Sequence, residues 1–184
     1  MSPVPNLITL ARLLMVPVIA VMLANHLYTG AFWVFVVVGL SDGLDGYIAR
    51  RFKVTSATGA LLDPVADKMT IITCAFVLAW NGVLPLWLAI PLIGRDVLML
   101  SVGMTDPRLG QGWLPPNRLG KAHAALAFIT LSFAIAQAAP LFDPGWFLTL
   151  LFALLFVTVW ASGALYFRAW QSARHAARSG DGGV

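Results

Sequence analysis

Of 184 residues, 59% are apolar and only 11% charged, against about 25% charged in ordinary soluble domains, which excludes a soluble globular domain. The net charge of +4 comes from 12 Lys and Arg set against 8 acidic residues, every one of them Asp. At a membrane such an excess meets anionic lipid head groups, so no nucleic-acid partner is expected. The single Cys, Cys74, lies in an apolar run and excludes an intrachain disulfide.

A membrane-crossing helix needs about 20 mostly apolar residues. Read in chain order, the apolar runs predict helices over 7–25, 31–50, 59–80, 84–104, 119–139 and 145–168. Breaks fall at Asn25 to Gly30, at Asn81-Gly82, from Pro107 to Pro116 and from Pro140 to Gly145. Lys and Arg are missing from 25–30, 81–83 and 140–144. They gather instead at Arg50, Arg51 and Lys53, at Arg108, Arg118 and Lys121, and at Arg168, Arg174 and Arg178. By the positive-inside rule both termini are cytoplasmic. Trp33, Trp80, Trp87 and Trp146 sit at the opposite helix ends, as an aromatic belt would. The expected fold is therefore an all-α integral membrane protein with six transmembrane helices. It forms one domain over 1–178, followed by a disordered tail over 179–184. The opening Pro3 and Pro5 resemble neither a transit segment nor a cleavage site, so a bacterial inner membrane is the expected location.

Four of the eight Asp fall between positions 42 and 67: Asp42, Asp45, Asp63 and Asp67. On a helix, residues three and four apart share a face, which pairs Asp42 with Asp45 and Asp63 with Asp67. The topology puts both pairs at the cytoplasmic ends of the second and third helices, so the site would face the cytoplasm. Carboxylates near membrane depth need a partner, and an all-oxygen donor set suits hard cations such as Mg²⁺ or Mn²⁺. Two such ions could clamp a phosphoryl group during displacement. Gly46 and Ala49 keep the neighbouring face small, Arg50 supplies a fork of phosphate donors, and Gly59 leaves room for a planar base or sugar.

These eight residues stand at the spacing D-x2-D-G-x2-A-R-x8-G-x3-D-x3-D. That pattern resembles the motif of the CDP-alcohol phosphotransferases, integral membrane enzymes of phospholipid synthesis, at all eight fixed positions. The resemblance implies a two-metal site held by Asp42, Asp45, Asp63 and Asp67, with Asp67 also the general base. It implies contacts to the CDP moiety from Asp45, Gly46, Ala49, Arg50 and Gly59. It further implies attack of an alcohol on the β-phosphorus of a CDP-linked lipid with release of CMP, and a homodimer. A cation transporter is the rival class; its carboxylates belong near the midplane on broken helices.

The stretches PNLITLARL and GALLDPVADK resemble the branch of the family that makes phosphatidylglycerophosphate or cardiolipin from CDP-diacylglycerol. The fourth helix carries Arg95-Asp96, with Val102 where phosphatidylglycerophosphate synthases commonly have Arg. The surrounding LPLWLAIPLIGRDVLMLSVG and the later LPPNRLGK look closer to the cardiolipin-forming enzymes. Phosphatidylglycerol is thus the expected acceptor and glycerol-3-phosphate the alternative, with Arg95, Arg118 and Lys121 as acceptor-phosphate candidates. Positive-inside anchoring and an Arg95–Asp96 pairing are the competing readings of those cations. His123 is expected to be a packed or interface histidine. Asn6, Thr9 and Arg12 would line the nucleotide entrance, or else serve as helix cap and anchors.

Overall fold

The computed structural model describes the backbone of residues 4–52, 57–105 and 118–180, and the side chains of 11–41, 65–101, 119–165, 167 and 168. Among the described residues there are six helices and no strand: α1 Val4–Ala24, α2 Tyr28–Phe52, α3 Ala57–Trp80, α4 Leu86–Thr105, α5 Arg118–Ala138 and α6 Trp146–Gly180. Each predicted helix is present, five of them within a few residues of the predicted ends. The sixth differs: α6 continues to Gly180, past the predicted end at 168, because nothing between Arg168 and Ser179 is a helix breaker.

The helices close into a ring. α2 packs on α1, α1 on α3, α3 on α4, α4 on α6, α6 on α5, and α5 back on α2, with a lighter α3–α5 contact across the middle. Among the described residues α2 and α3 make no close backbone approach; each packs on α1 and α5. Every helix contributes to the core, including Leu23, Phe35, Leu78, Leu88, Leu131 and Leu155, none more than 1% exposed. Where α2 and α5 meet, the Phe128 ring lies over Gly39, at the position that a Cβ would fill. Phe128 also stacks on Phe35, with ring centroids 4.9 Å apart.

Buried hydroxyls are satisfied inside their own helices. Thr70, Thr130, Ser132 and Ser162 donate to the carbonyls of Ala66, Leu126, Phe128 and Val159, the back-bonding that an apolar surrounding favours. Two of the turns are Schellman caps. At the end of α1, Leu27 N–H reaches the Met22 carbonyl and His26 N–H the Leu23 carbonyl, with His26 in the left-handed region at φ 58°. At the end of α3, Val83 and Gly82 do the same to Leu78 and Ala79, with Gly82 at φ 75°. Asn81 ties the two turns together through its Nδ2, which donates to the Leu23 carbonyl at 2.8 Å and to the Tyr28 hydroxyl at 3.2 Å.

Trp33, Trp80, Trp87 and Trp146 are all exposed, and all lie at the end of the bundle away from the acidic window. Two stretches among the described residues are long and apolar enough to cross a membrane, Leu119–Ala138 and Trp146–Leu165. Ala11–Ala24 and Tyr28–Ser41 are shorter apolar stretches. α3 and α4 each carry an adjacent cation and acid, Asp67-Lys68 and Arg95-Asp96, which interrupt their apolar character. Length and apolarity thus account for two crossings, fewer than the six expected.

Candidate active site

The acidic window belongs to helices at both ends. α2 runs unbroken through Asp42 and Asp45, and α3 through Asp63 and Asp67, so each pair keeps the one-turn spacing that places its members on one face. The side chains of Asp42, Asp45, Gly46, Ala49, Arg50, Gly59 and Asp63 lie outside the described residues, as does that of Arg118. Of the four acids, Asp67 is the one whose side chain is described. Among the described residues no group of three or more potential metal ligands occurs.

Asp67 is 45% exposed and accepts a hydrogen bond on Oδ1 from Nη1 of Arg12 at 2.9 Å; the Arg12 side chain is 6% exposed. α1 reaches Asp67 because it packs extensively along α3. An Arg in the apolar run LITLARLLMV needs an anion as partner, and that requirement is the signal in the sequence. Arg12 is an interior partner of the candidate base, not a surface anchor.

The next residue on α3 points elsewhere. Lys68 donates from Nζ to Oδ1 of Asp96 on α4 at 3.1 Å, and Arg95 reaches the same oxygen through Nη1. Asp96 is buried, and Arg95 and Lys68 are mostly so. Successive residues on a helix diverge by about 100°, so Asp67 faces α1 while Lys68 faces α4. The structure therefore forms the Arg95–Asp96 pairing that competed with an acceptor role, and adds Lys68 to it. Two cations thus share the one Asp96 carboxylate. Lys68 had no assigned role in the sequence, though an ammonium inside an apolar run requires a partner by the same argument as Arg12.

The remaining acceptor candidate, Lys121, is exposed near the start of α5. His123, one half-turn further, is 1% exposed and bonds through Nδ1 to the Thr158 hydroxyl of α6 at 3.0 Å. Lys68, Arg95 and Asp96 are the charged groups whose fields reach its ring. Arg95 and Lys68 thus meet at Asp96 from α4 and α3, while Lys121 stays outside.

The helices thus carry an acidic pair on each of α2 and α3, a buried Arg12 bonded to one member, Asp67, and an Arg95–Asp96–Lys68 cluster on the other flank of α3. The model of the CDP-alcohol phosphatidyltransferase family matches residues 3–166, and the chain belongs to that family. It is 36% identical over 179 residues to the cardiolipin synthase (CMP-forming) / mitochondrial hydrolase fusion protein of Schizosaccharomyces pombe, covering 88% of this chain and 30% of that protein. It is 34% identical over 182 residues to the cardiolipin synthase (CMP-forming) of Streptomyces coelicolor, covering 89% and 80%. With the CDP-diacylglycerol–glycerol-3-phosphate 3-phosphatidyltransferase of Pseudomonas fluorescens it shares 37% identity over 114 residues, covering 59% and 58%.

Proposed function

We propose that this chain is a membrane phosphatidyltransferase that moves a phosphatidyl group from CDP-diacylglycerol to phosphatidylglycerol, giving cardiolipin and CMP. The observation that carries this reading is the eight-position motif from Asp42 to Asp67, standing on α2 and α3 of a chain that belongs to the family. The relatives named cardiolipin synthase favour phosphatidylglycerol as acceptor. The relative named for glycerol-3-phosphate favours a second reading, phosphatidylglycerophosphate synthesis. The transporter reading gains no support, since Asp67 lies on an unbroken helix.

Chemically, the acceptor hydroxyl oxygen bonds to the β-phosphorus, and the bond from that phosphorus to the CMP oxygen breaks. CMP departs with the electron pair, and Asp67 takes the hydroxyl proton. The donor set at the window is carboxylate oxygen throughout, which fits Mg²⁺ or Mn²⁺. Two divalent ions held by Asp42, Asp45, Asp63 and Asp67 would neutralise the diphosphate and acidify the hydroxyl. Arg12 fixes the orientation of the Asp67 carboxylate. Asp45, Gly46, Ala49, Arg50 and Gly59 hold the CDP moiety, and Arg95, Arg118 and Lys121 serve the acceptor phosphate.

The same reading includes six crossings of a bacterial inner membrane with both termini cytoplasmic, a domain over 1–178 with a short tail, and a homodimer. The exposed Trp residues at one bundle end and the Lys and Arg at the other support the orientation.

The test supplies purified protein with CDP-diacylglycerol and Mg²⁺ or Mn²⁺, offers phosphatidylglycerol and glycerol-3-phosphate separately, and identifies the product lipid. Cardiolipin and CMP are expected. Turnover of glycerol-3-phosphate alone would move the chain to the second reading. Chelation should stop CMP release, and Asp67→Asn should lower it by about 10²–10⁴-fold, the usual contribution of a positioned base.

A further inference from the structure

Two consecutive residues of α3 are tied to two different helices. Asp67 accepts a 2.9 Å hydrogen bond from Arg12 of α1. Lys68 donates to Asp96 of α4 at 3.1 Å, and its Nζ also lies 3.9 Å from the Met99 Sδ, one turn further along α4. The Lys68 ammonium is thus seated across one turn of a neighbouring helix. Its acceptor is held in turn, because Asp96 is buried and bonded by Arg95 as well.

The packing around these ties is poor in the shapes that resist rotation. Among the described residues of α3 before Cys74, the buried side chains are Ala66 and Thr70. The larger Leu78 is buried toward the other end of the helix. Small side chains present shallow ridges to a neighbour, so they interlock less against a roll of the helix about its axis. Charge-assisted bonds are strong and directional. Two of them, on residues about 100° apart around the axis, fix the roll from two sides.

Small rolls matter at this place. A side-chain tip stands about 5–6 Å from a helix axis, so a roll of about 10° carries it by about 1 Å. A displacement of that size at a catalytic group can cost about 100-fold in rate. Arg12 acts on the Asp67 carboxylate itself, whereas Lys68 acts on the helix that carries it.

We propose that Lys68 is a positioning residue for the transfer step: seated on Asp96 and Met99, it sets the roll of α3 and so the place of the Asp67 carboxylate. This rests on the phosphatidyltransferase reading and adds a second flank to the hold that Arg12 provides. Lys68→Met removes the ammonium and keeps an unbranched apolar stem. Lys68→Arg keeps a cation within reach of Asp96.

The experiment measures CMP release from CDP-diacylglycerol with Mn²⁺ by the full chain, using phosphatidylglycerol or glycerol-3-phosphate as acceptor. Each variant is assayed below the onset of its own thermal unfolding. Lys68→Met should lower kcat by about 10–100-fold. KM for both substrates should stay near the wild-type value, the pattern of an interaction lost in the transition state. Lys68→Arg should recover most of kcat. The same Lys68→Met change is then made in the Asp67→Asn background. Residues that act through one group are not additive, so there it should cost at most about threefold.

An equal loss in both backgrounds overturns the inference, because a general loss of structure or a direct contact with the acceptor would multiply through either. A raised KM for the acceptor with kcat unchanged overturns it too, and assigns Lys68 to binding. Wild-type kcat in Lys68→Met does so without the second background. Lack of CMP release by wild-type protein with either acceptor is a different result: it sinks the transferase reading, and this inference with it.

Discussion

Arg12 on α1 holds Asp67 on α3 through a 2.9 Å hydrogen bond between Nη1 and Oδ1, linking residues 55 positions apart in sequence. The guanidinium is buried and the carboxylate is nearly half exposed. One end of the pair is thus fixed in the bundle while the other is partly open to its surroundings. A geometry of this kind limits where the carboxylate can be, which matters because displacement of a catalytic group by about 1 Å can cost 100-fold in rate.

Arg12→Gln should therefore lower kcat by about 10–100-fold with little change in KM for the acceptor. Arg12→Lys keeps the charge but not the planar fork, and should fall between the variant and the wild-type protein. Steady-state CMP release at saturating CDP-diacylglycerol measures both. Unchanged kcat in Arg12→Gln would mean that Asp67 is positioned without α1.

On the other flank of α3, Asp96 pairs with two cations at once. Removing one partner of a buried ion pair costs about 3–5 kcal/mol, because the remaining charge is left uncompensated. Asp96→Asn should lose stability on that scale. Lys68→Met should lose less, since Arg95 still pairs with Asp96. Thermal unfolding in detergent, followed by tryptophan fluorescence, gives the order. Equal losses would mean that Lys68 contributes as much as Asp96 to holding α3 on α4.

The contrast between these two pairs explains what was legible in the sequence. The six helices could be read because apolar runs of near-spanning length are bounded by Asn, Gly and Pro. The acidic window could be read because its spacing is a local property of two helices. Arg12–Asp67 and Lys68–Asp96 could not, because they depend on which helices are neighbours. α3 follows α2 in the chain, yet among the described residues it packs on α1 and α4. The ring order α2–α1–α3–α4–α6–α5 is set by side-chain packing, and no periodicity in the sequence encodes it. His123 shows the same limit: its spacing gives no hint of its hydrogen bond to Thr158, 35 positions later.

Packing at Gly39 gives a stability prediction close to the window. A methyl group there would enter the space held by the Phe128 ring, which is itself stacked on Phe35. Gly39→Ala should destabilise the α2–α5 contact by about 1–3 kcal/mol, the usual cost of overpacking a filled core. Trimming the ring in the double variant Gly39→Ala/Phe128→Leu should recover part of the loss, a coupling between touching residues that a double-mutant cycle reads directly. Simple additivity of the two changes would mean that the ring moves aside freely.

The orientation can be tested through the single native thiol. Cys74 is buried at 1% exposure, with its pairing options limited by its being the sole Cys, so Cys74→Ala provides a background for labelling at chosen sites. Phe142 is exposed in the connection between α5 and α6, a segment without Lys or Arg. Ser179 closes the basic stretch at the other end of α6. With both termini cytoplasmic, a membrane-impermeant maleimide should label Phe142→Cys in intact right-side-out cells or vesicles. It should label Ser179→Cys only after the membrane is opened or in inverted vesicles. The reverse pattern would put the basic ends outside, against the positive-inside rule, and would turn the acidic window away from a cytoplasmic supply of CDP-diacylglycerol head groups. Labelling of both positions from one side would require an even number of crossings between them, which a single helix α6 cannot provide.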